Sequence, residues 1–213
     1  SGQQNTAIGF EALDANVIGD NNTAVGYQAL SAFVADTDAH GYNTAVGWTA
    51  GALSVAGTSN TFIGAHAAAG ANVAGDGNTA VGTKVLYDLA GGNYNVAIGQ
   101  DAAENMVSGS GNIAIGYTAL AADTDGDYNI AIGYEAMNDA TGTLDSNTAI
   151  GYRTMEDCGS QDHSGNTCLG HQTMSTAASG ARNGNTCIGG SAGQALTTGD
   201  NNALLGISAG ASI

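Results

Sequence analysis

The sequence predicts an all-β fold, a parallel β-solenoid of about twelve rungs of 17–21 residues, from its internal repeat and from the length of the repeating unit. The pattern Asn-[Thr/Val/Ile]-small-[Ile/Val/Leu]-Gly recurs along the whole chain. A unit this short has no room for a pair of helices, and its apolar run is four or five residues long and rich in β-branched side chains, which is typical of a strand. We therefore treat residues 1–213 as a single repeat domain and expect it to be a fragment of a longer fibrous protein.

Each unit, here called a rung, begins at an asparagine that we number position 0. These residues are Asn5, Asn22, Asn43, Asn60, Asn78, Asn95, Asn112, Asn129, Asn147, Asn166, Asn185 and Asn202. Position 3 is always Ile, Val or Leu, and position 4 is always glycine, as at Gly9, Gly26, Gly47 and Gly133. Position 7 is mostly alanine and position 8 is often Leu or Met, and polar residues typical of turns fill the rest.

The two invariant positions have a structural interpretation. Asparagine tolerates left-handed backbone geometry, and stacked asparagine side chains can hydrogen-bond to one another up a column. Glycine at position 4 supplies a bend where a Cβ atom would obstruct the chain or the neighbouring layer. We therefore expect a first strand, a corner at the glycine, a shorter second strand and an outer loop in every rung.

Both faces of the first strand are apolar, which is unusual for a strand exposed to water on one side. Positions 1 and 3 share one face, and position 2, mostly alanine, is on the other. We expect positions 1 and 3 to fill the interior of the coil and the small residues at position 2 to pack against sister chains. The pattern therefore predicts a homo-oligomer.

The charge of the chain restricts its partners. Nineteen acidic residues face only three lysines and arginines, for a net charge of −16, which disfavours nucleic acid and anionic membranes. No run of residues approaches the roughly 20 apolar residues that cross a bilayer. Neutral glycans, cations and basic proteins remain open as partners.

The core Asn5–Gly9, and the longer segment Asn22–Leu30, resemble the head repeats of trimeric autotransporter adhesins and the repeats of some bacteriophage tail fibres. The resemblance covers essentially the whole chain. It implies a left-handed parallel β-roll, a homotrimer and an extracellular location on a virion tail fibre or a bacterial cell surface, and it implies no catalytic residues. The rungs are longer than the adhesin repeats, which favours a viral fibre.

Several aromatic residues are candidate contacts for a glycan or protein receptor. Position 5 carries two runs of rings, which could form a rail for sugars or a stabilising ladder; they are Phe10, Tyr27 and Trp48, and then Tyr117, Tyr134 and Tyr152. Tyr42, Tyr94 and Tyr128 precede the motif asparagine in polar loops, where they could contact a receptor or cover neighbouring rungs.

Other side chains suggest weaker sites. Asp123, Asp125 and Asp127 have the opening spacing of a calcium loop, although the expected glycine and closing glutamate are out of place, and solvated turns are the alternative. Asp36, Asp38 and His40 partly repeat this spacing. Cys168 and Cys187 fall at position 2 of successive rungs and are expected to be buried thiols, and Cys158 lies in a loop.

We expect a structural and adhesive segment of a surface or tail fibre that presents a binding rod, without enzymatic activity and with no cofactor other than possible calcium. One alternative is a module that binds glycan receptors along the rod. Another is an ice-binding solenoid, because threonine recurs at position 1. Three intervening rungs carry Val96, Ile113 and Ile130 instead, and the face shared with position 3 points this column inward. The threonines are Thr6, Thr23, Thr44, Thr61, Thr79, Thr148, Thr167 and Thr186.

Overall fold

The computed structural model describes residues 2–34, 41–140, 142–176 and 180–210, and within these ranges it contains strands and turns but no helix. The strands are β1 (Thr6–Ile8), β2 (Thr23–Val25), β3 (Thr44–Val46), β4 (Thr61–Ile63), β5 (Thr79–Val81), β6 (Val96–Ile98), β7 (Ile113–Ile115), β8 (Ile130–Ile132), β9 (Asp139–Ala140), β10 (Leu144–Asp145), β11 (Thr148–Ile150), β12 (Asp157–Gly159), β13 (His163–Ser164), β14 (Thr167–Leu169), β15 (Thr186–Ile188) and β16 (Ala203–Leu205).

One parallel sheet runs the length of the molecule. Its twelve strands are the first strands of the twelve rungs, and they follow one another in chain order from β1 to β16. Equivalent positions pair without slippage, so that Thr6 lies opposite Thr23 and Ile8 opposite Val25. The predicted parallel β-solenoid is confirmed, and at a strand spacing of about 4.8 Å its twelve rungs extend over roughly 55 Å.

Two further pairs of short strands form where the rungs are longer. Strand β9 pairs with β12, and β10 pairs with β13, both in parallel. These pairs add walls to the coil beside the rungs that begin at Asn129 and Asn147.

The wall that follows the position-4 glycine differs from the expected second strand. Its backbone bonds to the rungs on both sides, as a parallel strand does: Gln28 N–H donates to the Phe10 carbonyl, and Leu13 N–H donates to the Ala29 carbonyl. Every second residue is left-handed, however, with φ of 52° at Glu11 and 56° at Leu13. The alternation keeps the inter-rung hydrogen bonds but coils the chain into turns, so the wall is a ladder of turns and not a strand.

The interior of the coil reverses the expected orientation of the first strand. In the rungs from Asn22 to Asn185 the position-2 side chain is at most 1% exposed, and it joins a core with the side chains of positions 7 and 8. Positions 1 and 3 face outward. The expectation that position 2 faces sister chains was therefore wrong, because the mostly small position-2 side chains fill the narrow space that the larger Leu and Met side chains of position 8 leave inside the coil.

Two pairs of residues on neighbouring rungs show how tightly the interior is filled, because a larger side chain on one rung is matched by a glycine on the other. Phe62 replaces the usual alanine at position 2, and the preceding rung has Gly51 at position 8, where a Cβ atom would lie 2.8 Å from the Phe62 ring. Leu204 also occupies position 2, and the preceding rung has Gly193 at position 8, whose Cβ would lie 3.2 Å from Leu204. A large side chain from one rung thus fills the space that a glycine leaves in its neighbour.

The asparagine column is a continuous hydrogen-bonded ladder. The Asn95 Oδ1 atom accepts the backbone N–H of Asn112 at 2.9 Å and its side-chain amide at 3.2 Å. The Asn95 side-chain amide also donates to the Gly109 carbonyl at 2.8 Å. The same pattern recurs from rung to rung, and the asparagines from Asn22 to Asn185 are at most 1% exposed. The predicted stacking of asparagines is confirmed.

The position-4 glycines sit where neighbouring backbones approach most closely. Their φ values lie between 123° and 144°, a region that other residues rarely adopt. A Cβ atom on Gly116 would lie 2.2 Å from the carbonyl oxygen of Gly133. The torsion therefore favours glycine at every rung, and the close contact adds to this in every rung before the last.

Candidate functional site

The outward face of the long sheet is a regular surface that runs through all twelve rungs. Its two columns, positions 1 and 3, carry threonine, valine, isoleucine or leucine in nearly every rung and no charged residue. Five position-3 side chains, Val46, Ile63, Ile98, Ile150 and Ile188, are 36–39% exposed. Ile8 and Leu205, on the first and last rungs, are more exposed, and the other five are half-buried. A single chain thus leaves a long row of branched aliphatic side chains open to water.

The threonine column belongs to this same outward face. Its residues are exposed or half-buried, and the strand register aligns threonine with threonine, as in the pairing of Thr44 with Thr61. The expectation that this column points inward was wrong, for the same reason that position 2 is buried. Methyl and hydroxyl groups therefore alternate with aliphatic side chains across the sheet.

The aromatic column at position 5 is a stacked ladder in its second half. Tyr117, Tyr134, Tyr152 and His171 follow one another with centroid distances of 5.2–5.5 Å and interplanar angles of 10–21°. Phe10 and Tyr27 stack in the same way, at 5.3 Å. A ring that stacks on both sides presents only its edge to a ligand, so these inner rings serve as a stabilising ladder more readily than as a sugar rail.

Trp48 does not join the flat stack. It is 55% exposed, and the ring that contacts it within the described part of the chain is His66, at 4.7 Å and an angle of 53°. The Thr49 hydroxyl lies 2.8 Å from His66 Nδ1 and fixes the orientation of the imidazole. Tyr87 lies 6.5 Å from His66, and the ammonium of Lys84 is 5.9 Å from the centre of the Tyr87 ring.

Sequence reasoning singled out Trp48 but missed the residues around it. His66 and Lys84 occupy position 6 of successive rungs, and Tyr87 lies three residues after Lys84 in the same rung. The repeat register itself could have revealed this grouping, because it places position 6 of one rung beside position 5 of the rung before.

The three loop tyrosines are among the most exposed aromatic side chains described. Tyr42, Tyr94 and Tyr128 are 62–71% exposed. The rings of Tyr94 and Tyr128 lie over glycines of the preceding rungs, since a Cβ atom on Gly77 or Gly111 would approach them within 2.8 Å. These tyrosines cover the neighbouring rung on one side and face solvent on the other, so both of the expected roles stay compatible with their placement.

The acidic loop does not gather its carboxylates around one point. Asp123 points into the coil and is 1% exposed, whereas Asp125 accepts a hydrogen bond from the Ser108 hydroxyl and Asp127 accepts one from the Ser110 N–H. Across the described ranges no three His, Cys, Asp or Glu side chains are arranged to hold a metal ion. Asp36, Asp38 and His40 lie outside the described residues.

Burial perturbs the Asp123 carboxyl strongly. Oδ1 accepts the Gly126 N–H at 3.1 Å, but no donor lies within hydrogen-bonding geometry of the buried Oδ2. Loss of solvent raises the pKa of Asp123 to about 6, although nearby backbone N–H groups of Gly126, Asp125 and Leu144 partly oppose this rise. The carboxyl of Asp123 is therefore partly protonated near pH 6.

Polar groups replace the usual apolar core further along the coil. Arg182 is fully buried, and its guanidinium donates to the carbonyls of Met174, Thr176 and Leu196. His163 Nδ1 accepts the Arg182 N–H at 3.0 Å, which leaves Nε2 to donate to the Cys158 carbonyl at 2.7 Å. Burial lowers the pKa of His163, so this imidazole is held in its neutral form.

All three cysteines are free and buried. Cys168 and Cys187 lie opposite each other on β14 and β15 and fill the position-2 row, as expected for small apolar side chains. Cys158 is also buried, not in an exposed loop, and loss of solvent raises the pKa of its thiol to about 12. A thiol with so little thiolate is chemically unreactive.

Comparisons of the chain with protein-family models, with curated proteins and with solved structures found no match. Within the described residues there is also no helix of the length and hydrophobicity needed to span a membrane.

Proposed function

We propose that the protein is a structural and adhesive segment of an extracellular fibre, on a virion tail or a bacterial surface, in which three chains bury their outward sheet faces against one another. The observation that carries this proposal is the row of aliphatic position-3 side chains, present in all twelve rungs and open to water in a single chain. Soluble monomers rarely expose an apolar surface this long, whereas protein interfaces often do. The number three comes from the resemblance to adhesin and tail-fibre repeats.

The rest of the molecule suits a load-bearing rod. Its rungs are joined by a sheet, a ladder of turns and a buried asparagine ladder, each of which connects every rung to the next. The acidic charge of −16 favours solubility of a rod with apolar strips. The loops, which vary most between rungs, are then left to contact a glycan or protein receptor.

A charge placed on the outward face tests this association. Ile98→Glu introduces a carboxylate into the middle of the proposed interface, where burial would strongly disfavour it, so we expect the assembly to dissociate into single chains. Gln100→Glu is the matched control, because it places the same charge in the same rung at an exposed residue of position 5. Sedimentation velocity measures the outcome. Equal sedimentation of Ile98→Glu, Gln100→Glu and the unmodified protein would contradict the proposal.

Ice binding is the second candidate, and the outward orientation of the threonine column favours it. Threonine methyl and hydroxyl groups in register, with no charged residue among them, form a surface that can order water, although Val96, Ile113 and Ile130 interrupt the column. This role requires the face to be free, whereas the fibre role requires it to be covered. Thermal hysteresis by a monomeric protein would support ice binding, and its absence would remove this candidate.

A further inference from the structure

The aromatic column at position 5 is interrupted after Trp48, because the next rung has Ala65 and not an aromatic residue at this position. In the second half of the column the neighbouring rings cover one another, with centroids about 5 Å apart. The residue that follows Trp48 in the column is Ala65, which offers only a methyl group. The indole is therefore 55% exposed, while the imidazole of His66 meets it at 53°.

Polar groups lie on the two rungs that follow this partly exposed indole. The backbone N–H of His66 donates to the Trp48 carbonyl, which seats the imidazole directly above in the next rung. Because His66 Nδ1 is engaged by the Thr49 hydroxyl, Nε2 is the imidazole nitrogen left to meet a ligand. Lys84 follows His66 at position 6, and the exposed Thr83 precedes it. An apolar ring face with an imidazole beside it, and with hydroxyl and ammonium groups one rung further along, suits a sugar ring that stacks on the indole.

The local charges select the class of sugar. The Lys84 ammonium lies 3.6 Å from a Glu104 carboxylate oxygen, and Asp101 follows Lys84 in the position-6 column. No positive charge at this site is left without a nearby carboxylate, and the chain as a whole carries −16. A sugar that bears a carboxylate or sulfate would be repelled, whereas a neutral sugar would not.

We propose that Trp48, His66, Thr83 and Lys84 form a binding site for a neutral hexopyranose. The apolar face of the sugar stacks on the indole, and its hydroxyls bond to His66 Nε2 and to the neighbouring hydroxyl and ammonium groups. The inference extends the adhesive role proposed above by naming a ligand class and a site, but its test does not depend on the oligomeric state.

The chain offers a selective signal, because Trp48 is its single tryptophan. We expect titration with methyl β-glucoside or methyl β-galactoside to give a saturable blue shift of the tryptophan emission. Glucuronate, the charged counterpart, should give a much weaker change at the same concentration. A response to glucuronate equal to that of the neutral sugars would overturn the assignment of charge class, and no saturable response to any of these sugars would overturn the site.

Two substitutions at position 5 separate ring stacking from general effects. Ala65→Tyr adds a ring over the indole and should lower the sugar affinity about tenfold or more, because the stacking face is then occupied. Gly190→Tyr adds the same ring at the same position of a distant rung, where nothing lies within 4 Å of a new Cβ atom, and should leave the affinity unchanged. Equal sugar affinity in the two variants would contradict the proposal.

Sedimentation of the same samples separates this inference from the fibre proposal. A sugar response by a monomeric protein supports the site and contradicts the trimer. A trimer without any sugar response supports the fibre proposal and contradicts the sugar site. Circular dichroism of each variant confirms that the solenoid is intact before its affinity is compared.

Discussion

At the scale of single residues, the asparagine ladder is the strongest polar connection between rungs. Each inner asparagine satisfies a buried backbone N–H that has no other acceptor in the sheet, as Asn95 does for Asn112. Loss of one side chain therefore leaves both a donor and a carbonyl without partners inside the coil. Such unsatisfied buried groups typically cost about 1–3 kcal/mol each.

We predict that Asn95→Ala lowers the free energy of unfolding by about 2–4 kcal/mol. Asn202→Ala is the control, because Asn202 is half-buried, lies on the last rung, and among the described residues its side chain bonds only to Asn185. That variant should lose about 1 kcal/mol. Urea unfolding followed by circular dichroism gives both values, and equal losses would show that the ladder contributes nothing beyond one ordinary hydrogen bond.

The glycine column makes a second residue-scale prediction. Gly116→Ala must place a Cβ atom 2.2 Å from the Gly133 carbonyl oxygen at a φ of 139°, so the two rungs have to separate. We expect a loss of about 3 kcal/mol or more. Gly91→Ala introduces the same methyl group where nothing lies within 4 Å, and it should change stability by less than about 1 kcal/mol. The same urea experiment compares them.

At the scale of the rungs, the polar core between Asp123 and Arg182 makes stability depend on pH. The folded pKa of Asp123, about 6, lies above its ordinary value of 3.8, so folding favours the protonated carboxyl. The stabilisation of the folded state by the protonated Asp123 carboxyl is fully present below pH 3.8, and it is lost as the pH rises from there through about 6. The loss amounts to about 2 kcal/mol once residual solvent screening is allowed for.

We predict that Asp123→Asn stabilises the protein at pH 7 by about 1–2 kcal/mol, because the neutral amide avoids the buried charge. The variant should also reveal the opposite contribution of His163, whose pKa is lowered by burial. Stability from the neutral imidazole is present above its ordinary value of 6.5 and is lost as the pH falls below it. Thermal melts between pH 4 and pH 8 measure both slopes. A variant with the same pH profile as the parent would contradict this assignment.

The repeat allowed the rungs, their register and the asparagine ladder to be predicted, because period and residue identity determine these features directly. It did not determine which side of the first strand faces inward. Positions 1, 2 and 3 are all apolar, and the alternation of side chains separates the two faces of a strand without showing which face is buried. The informative signal was a pair of exchanges: Phe62 with Gly51, and Leu204 with Gly193. Both place position 2 against position 8, and therefore inside the coil.

The candidate sites were less predictable than the fold. The run from Asp123 to Asp127 has a calcium-like spacing, but spacing cannot show that Asp123 turns inward while Asp125 turns outward. The buried Arg182 was also missed, because nothing local in the sequence indicates that four main-chain carbonyls converge on its guanidinium. Such features depend on how a loop closes, and the loops are where the rungs differ from one another.

At the scale of the whole molecule, a single chain has a continuous core and a continuous asparagine ladder, but it leaves an apolar strip of the long sheet exposed. The coil encloses its alanine and leucine side chains by itself. The outward columns of positions 1 and 3 have no cover in a single chain, and the proposed fibre role depends on sister chains providing it.

The mass of the unmodified protein in solution tests this account most directly. Sedimentation equilibrium over a range of concentrations should give three times the chain mass of 20.8 kDa, with no dissociation at low micromolar concentration. A mass of 20.8 kDa at every concentration would mean that the aliphatic and threonine columns stay exposed, and it would contradict the assembly on which the proposed function rests.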